Sequence, residues 1–104
     1  MRHVDELIDE SHFHVMILAC THCAQRFVSI FAETVDWVDS EVPQYWTLLP
    51  ITGAEAAGLV RQRDSLTERE LYALPGRRCL RHDYPKAAAP RTFWAEGIII
   101  GPHD

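Results

Sequence analysis

The 104-residue chain is 47% hydrophobic and 24% charged, with a formal net charge of −5. That balance belongs to a packed globular domain rather than a disordered chain, and the length allows one domain and excludes a large enzyme fold. The longest apolar stretch, residues 15–20, is far short of the roughly 20 residues that span a bilayer, and no basic-led apolar leader opens the chain, so a cytoplasmic protein with no membrane partner is expected.

In chain order, Val4, Leu7 and Ile8 are spaced three and four apart and predict a short amphipathic helix within residues 1–11. From His12 the apolar residues fall on both parities, and residues 12–19 predict a strand in a covered sheet. Residues 24–38 fit two periods. Phe27, Phe31, Val35 and Val38 sit at helical spacing, but the aromatic and β-branched content suits a pleated surface better, and strand is the preferred reading. A polar turn at residues 39–43 and a second aromatic run at residues 44–49 complete a hairpin signature, closed by Pro50.

Two helix starts come next. Thr52 and Glu55 have capping-box spacing and open a helix over residues 53–63, with Ala56, Leu59 and Val60 inward. Thr67 and Glu70 repeat the signature, with Leu66 and Leu71 placed as a hydrophobic staple, and Pro75-Gly76 stops that helix near Leu74. Residues 77–91 show no sustained period and read as loop. Residues 92–100 are a last aromatic and β-branched strand, leaving His103 and Asp104 exposed. The expected fold is therefore α+β, a small antiparallel sheet of about four strands (12–19, 26–37, 44–49 and 92–100) with two short helices and a zinc-knuckle-like metal site.

The chain has three cysteines and six histidines. Cys20 and Cys23 form CxxC at the end of a strand, and Cys79 and His82 form CxxH in the expected loop. Two short-spaced pairs of thiolates and imidazole are what tetrahedral zinc asks for, so Cys20, Cys23, Cys79 and His82 are the predicted ligands. His12, His14, His22 and His103 are alternative donors. A saturated Cys3His centre leaves no position for water, so the zinc would be structural, stapling a small fold.

These residues support three functional readings. The first is a zinc-stabilised protein-interaction or accessory module. The second is a small thiol-redox enzyme, because a strand ending in CxxC before a helix is the layout of a thioredoxin-like site, where the helix N-terminus would activate Cys20. The third is a metal-dependent enzyme, with Glu33, Asp36 or Glu96 as the available bases. The first half of the chain carries eight acids against two bases, and the overall acidity argues against nucleic acid despite Arg77, Arg78, Arg81 and Lys86. The pairs Tyr45-Trp46 and Phe93-Trp94 put one ring on each face of a strand. With Trp37 beside Asp36, Asp39 and Glu41, their exposed members would meet a protein partner or form a homodimer.

Overall fold

Alternation builds the centre of the molecule. In Phe13–Ala19 the odd positions Phe13, Val15, Ile17 and Ala19 are buried and the even ones are half-exposed. That period of two is the signature of a strand with one face in the core. The same alternation recurs in Arg26–Glu33 and in Gln44–Ile51. The computed structural model describes residues 1–35, 42–86 and 88–103. Its elements are β1 (Arg2–Glu10), β2 (Phe13–Ala19), β3 (Arg26–Glu33), β4 (Gln44–Ile51), α1 (Gly53–Arg61), a 3-10 turn at Arg63–Ser65, α2 (Glu68–Tyr72), β5 (Arg78–Tyr84) and β6 (Arg91–Glu96). The strands form one antiparallel meander in the order β1-β2-β3-β4-β5-β6.

The expected four strands are therefore six, and the expectations that fail do so for local reasons. Residues 1–11 are strand, not helix. The three-and-four spacing of Val4, Leu7 and Ile8 comes from register shifts between His3 and Asp5 and between Glu6 and Ile8. A bulge adds a residue to one strand, so it breaks strict alternation without ending the pairing. Residues 78–84 are strand rather than loop, because Cys79, Arg81 and Asp83 all turn into the core. Charged residues at inward positions erased the hydrophobic signal. The preferred strand after Ala24 is found as Arg26–Glu33. The turn expected at residues 39–43, and Asp36, Trp37 and Asp104, lie wholly or partly outside the described residues, as does Ala87 in the loop expected at residues 77–91.

Both helix starts are as expected. Thr52 accepts from the Glu55 amide at 3.1 Å while the Glu55 carboxylate accepts from the Thr52 amide at 2.8 Å. Thr67 and Glu70 form the second capping box. Pro50 falls inside β4, where a missing N–H is normally costly. Its carbonyl accepts from the Arg77 guanidinium at 3.1 Å. The N–H and C=O of one strand residue point to the same side, and on that side the β4–β5 pairing has already ended at Leu48↔Leu80. The absent donor costs the ladder nothing there.

Among the described residues, the core lies on one face of the sheet only. Val15, Ile17, Val28, Ile30 and Leu49 are at most 2% exposed, and burying each is worth about 1.5–3 kcal/mol. Ala56 and Leu59 of α1, with Leu66 and Leu71, close over them. The chain after β6 completes the cover. Gly97, at φ +79°, turns the backbone away from the sheet in the left-handed region that glycine tolerates. Ile98 and Ile100 then pack on the core. Ile99 accepts from the Thr47 hydroxyl at 3.4 Å, and the Ile100 amide donates to the Tyr72 hydroxyl at 2.9 Å. His103 is not left exposed. Its ring stacks on Phe13 with centroids 4.2 Å apart and meets Glu68 at 2.6 Å.

Candidate functional site: the uncovered sheet face

The predicted zinc ligands do not converge. Cys20 and Cys23 sit in the loop joining β2 to β3, whose neck is closed by the Cys20 amide donating to the Gln25 carbonyl at 3.0 Å. Cys79 lies in β5, and β3 and β4 stand between it and β2. Three interstrand spacings amount to about 14 Å, whereas two thiolates on one zinc lie within about 4 Å given a Zn–S distance of about 2.3 Å. Cys79 and His82 also point oppositely. A three-residue step along a strand changes face, so Cys79 is buried against the core while His82 stands on the other side. Among the described residues no group of three or more His, Cys, Asp or Glu side chains is placed to hold a metal ion. The expected zinc cofactor, the zinc-knuckle likeness and the zinc-stabilised module are all contradicted by this arrangement.

The thiol-redox reading falls with the local fold. The CxxC segment leads into strand β3 rather than into the helix that such a site places directly after it. All three cysteines are free. A hydrogen bond from the Cys23 thiol, and then the His22 amide at 3.4 Å, hold the Cys20 thiol below its ordinary pKa. Burial pushes the Cys79 thiol up, and its sulfur lies 3.2 Å from the Gly97 carbonyl. The other candidate donors are used singly. His12 meets Glu33 at 3.0 Å, and Glu33 also accepts from Gln44 at 3.0 Å. His14 meets Asp9 at 3.0 Å. His22 is exposed in the loop. Glu96 ends β6 opposite Arg78.

The distinctive surface is the second face of the sheet. Register defines its rows. Asp9, His14, Phe31, Trp46, His82 and Thr92 are successive cross-strand partners, as are Glu6, Met16, Ser29, Leu48, Leu80 and Trp94. Along the first row the rings touch in sequence. Centroids are 5.8 Å apart for His14–Phe31, 4.6 Å for Phe31–Trp46 and 6.3 Å for Trp46–His82. His82 also meets the edge of Tyr84 at 4.7 Å and hydrogen-bonds Thr92. Aromatic and imidazole pairs across strands each contribute roughly 0.2–1 kcal/mol, so the row is held rigidly enough to present a defined surface.

Trp46 is 40% exposed and Trp94 59% exposed, while Tyr45 and Phe93, their chain neighbours, turn to the covered face. That is the division which adjacent aromatic pairs on a strand imply. The Arg78 guanidinium lies 4.5 Å above the Trp94 ring. A shallow recess of about 200 Å3 opens between β4 and β5, bounded by Trp46, Leu48, Leu80 and His82, with Ser29 on its β3 side. Among the described residues, the contacts of the helices and of the segment after β6 all fall on the opposite face. The cross-strand order of this surface was not visible in the sequence, although the alternation that creates it was. No family model, no curated protein and no solved structure matches the chain.

Proposed function

We propose that the chain is a protein-interaction domain that docks through this second sheet face on a flat, largely apolar protein surface. The observation that carries the reading is the uncovered aromatic and aliphatic face, with exposed Trp46 and Trp94 flanking half-buried Phe31, Leu48 and Leu80. Six strands about 4.8 Å apart and seven residues long make a panel of about 24 by 23 Å, on the order of 550 Å2 in projection. With an apolar centre and polar edges, the panel approaches the roughly 800 Å2 that one partner brings to a standard interface.

Shape and charge narrow the partner class. The recess of about 200 Å3 is small beside the roughly 300–1,000 Å3 clefts that enclose small molecules. Glu6 and Asp9 border the face on β1, and acids along that edge oppose a phosphate backbone. Three free thiols suit a reducing compartment, in keeping with a cytoplasmic setting.

Site-specific photo-crosslinking in cells making the protein tests the reading. A benzophenone side chain replacing Trp46 should form protein adducts, while the same group replacing Arg61 on the outer side of α1 should form few. Equal yields from both positions, or none from position 46, would refute it.

A further inference from the structure

We infer that the occupant of this face is a second copy of the chain, related by a two-fold axis that runs parallel to the strands between β3 and β4. The inference rests on the interaction-face reading and adds the partner and its register. Two sheets packed face to face can be related by a dyad in the interface plane, and two orientations are simplest. A dyad perpendicular to the strands lays β1 on β1 of the other copy. A dyad parallel to them lays β1 on β6, β2 on β5 and β3 on β4, and keeps each row at its own level.

The residues select the second arrangement. At the edge, the perpendicular dyad would set Glu6 and Asp9 against the same acids, and like charges in a desolvated contact oppose association. The parallel dyad instead sets Glu6 against Trp94 at the same level, where the Arg78 guanidinium already lies 4.5 Å above the indole. One row further along, His3 of β1 comes to the level of Glu96 of β6. Opposite or neutral groups therefore meet at both edges.

The centre agrees. The first row reads imidazole, aromatic ring, aromatic ring, imidazole across β2 to β5, a palindrome in chemical class. Reversed on itself it places Phe31 against Trp46 of the second copy. In the next row Ser29 on β3 faces Leu48 on β4 of the other copy, so a small side chain meets a large one at both symmetry-related contacts. Two panels of on the order of 550 Å2 approach the lower end of the 1,200–2,000 Å2 total typical of specific interfaces. The centre lies on the dyad, where the crossing angle of about 30° between packed sheets displaces residues least.

The test uses charge complementation. Met16 and Leu80 lie in one chain three strands apart, too far to pair within it, yet the parallel dyad opposes each to the other across the interface. Met16→Glu and Leu80→Lys should each raise the dimer dissociation constant by about 30-fold or more, by desolvating an unpaired charge. Mixing the two variants should restore association as a heterodimer, read by sedimentation equilibrium, with far-UV circular dichroism confirming that each variant is folded. A wild-type dimer whose mixed variants associate no better than either alone overturns the parallel dyad. A wild-type monomer at all concentrations overturns self-association. If position 46 then still crosslinks to a different protein, the interaction-face reading survives; if it crosslinks to nothing, both fail.

Discussion

Glu55 ties the start of α1 to the entry of β5, and its charge should be measurable as stability. Its carboxylate accepts from Arg77 Nη1 at 2.6 Å and Nη2 at 2.9 Å, and from the Thr52 amide at 2.8 Å. These bonds, the Arg77 pair foremost, lower its pKa from 4.5 to about 2. A lowering of that size corresponds to a ceiling on the order of 3 kcal/mol. The Glu55 side chain retains 18% of its exposure and that of Arg77 31%, so solvent screens the pair and about 1–2 kcal/mol is expected. Because the folded value lies below the unfolded one, unfolding takes up a proton between them. The stabilisation is complete above about pH 5 and fades as pH falls from about 4.5 towards 2.

Glu55→Gln removes the charge and keeps an oxygen for the Thr52 amide. In urea at pH 7 the variant should unfold at a midpoint about 1.5 M lower, for a slope near 1 kcal/mol/M. The gap from wild type should close as the buffer is taken from pH 5 to pH 2. A gap that stays constant over that range, or one below about 0.5 kcal/mol at pH 7, would show that the bidentate contact does not hold α1 to β5.

The covered face and the β2–β3 loop supply two further expected outcomes. A maleimide added to the native protein should modify Cys20 and Cys23, with Cys20 the faster because its thiolate is favoured, and should spare Cys79, which is 0% exposed. Peptide mass spectrometry reads this, and Cys79 modified at the same rate would show that β5 is not packed. Gly101→Ala should destabilise the fold by about 1–3 kcal/mol, since a Cβ there would meet Cγ of Tyr45 at 2.6 Å, near the root of a half-buried ring. Hydrogen exchange should then rise at the start of β2, where His103 stacks on Phe13, and unchanged exchange there would mean that the tail does not seal that end.

The sequence was legible where its information was local. Both capping boxes read directly, because each involves groups three residues apart whose bonds form within one turn. β2 read from apolar residues on both parities, which wrongly implied cover on both faces, β4 read from its aromatic run, and β3 won over a helix on aromatic and β-branched content. The pattern misled at β1, where bulges imitate helical spacing, and at β5, where Arg81 and Asp83 replace apolar residues at inward positions. Asp83 approaches both Arg81 and Arg91, at 3.5 and 3.7 Å. These ion pairs offset part of the cost of burial, although Arg81 Nε and Asp83 Oδ1 make no hydrogen bond, and the charges leave no hydrophobic periodicity to detect.

The metal site failed for a tertiary reason. CxxC and CxxH are local spacings, but a shared ion requires their two segments to meet, and the meander instead inserts two strands between them. Locally, the chain decides its helix starts, the stop at Pro75-Gly76 and that the two rings of each adjacent aromatic pair turn to opposite faces. Only the assembled sheet decides that Asp9, His14, Phe31, Trp46, His82 and Thr92 become one row, that Cys79 and His82 part to opposite faces, and that the helices and the segment after β6 cover one side alone. The physical reason is that side-chain direction comes from the period of the backbone itself, while lateral neighbours depend on strand order and register, which are set by burying one whole face at once.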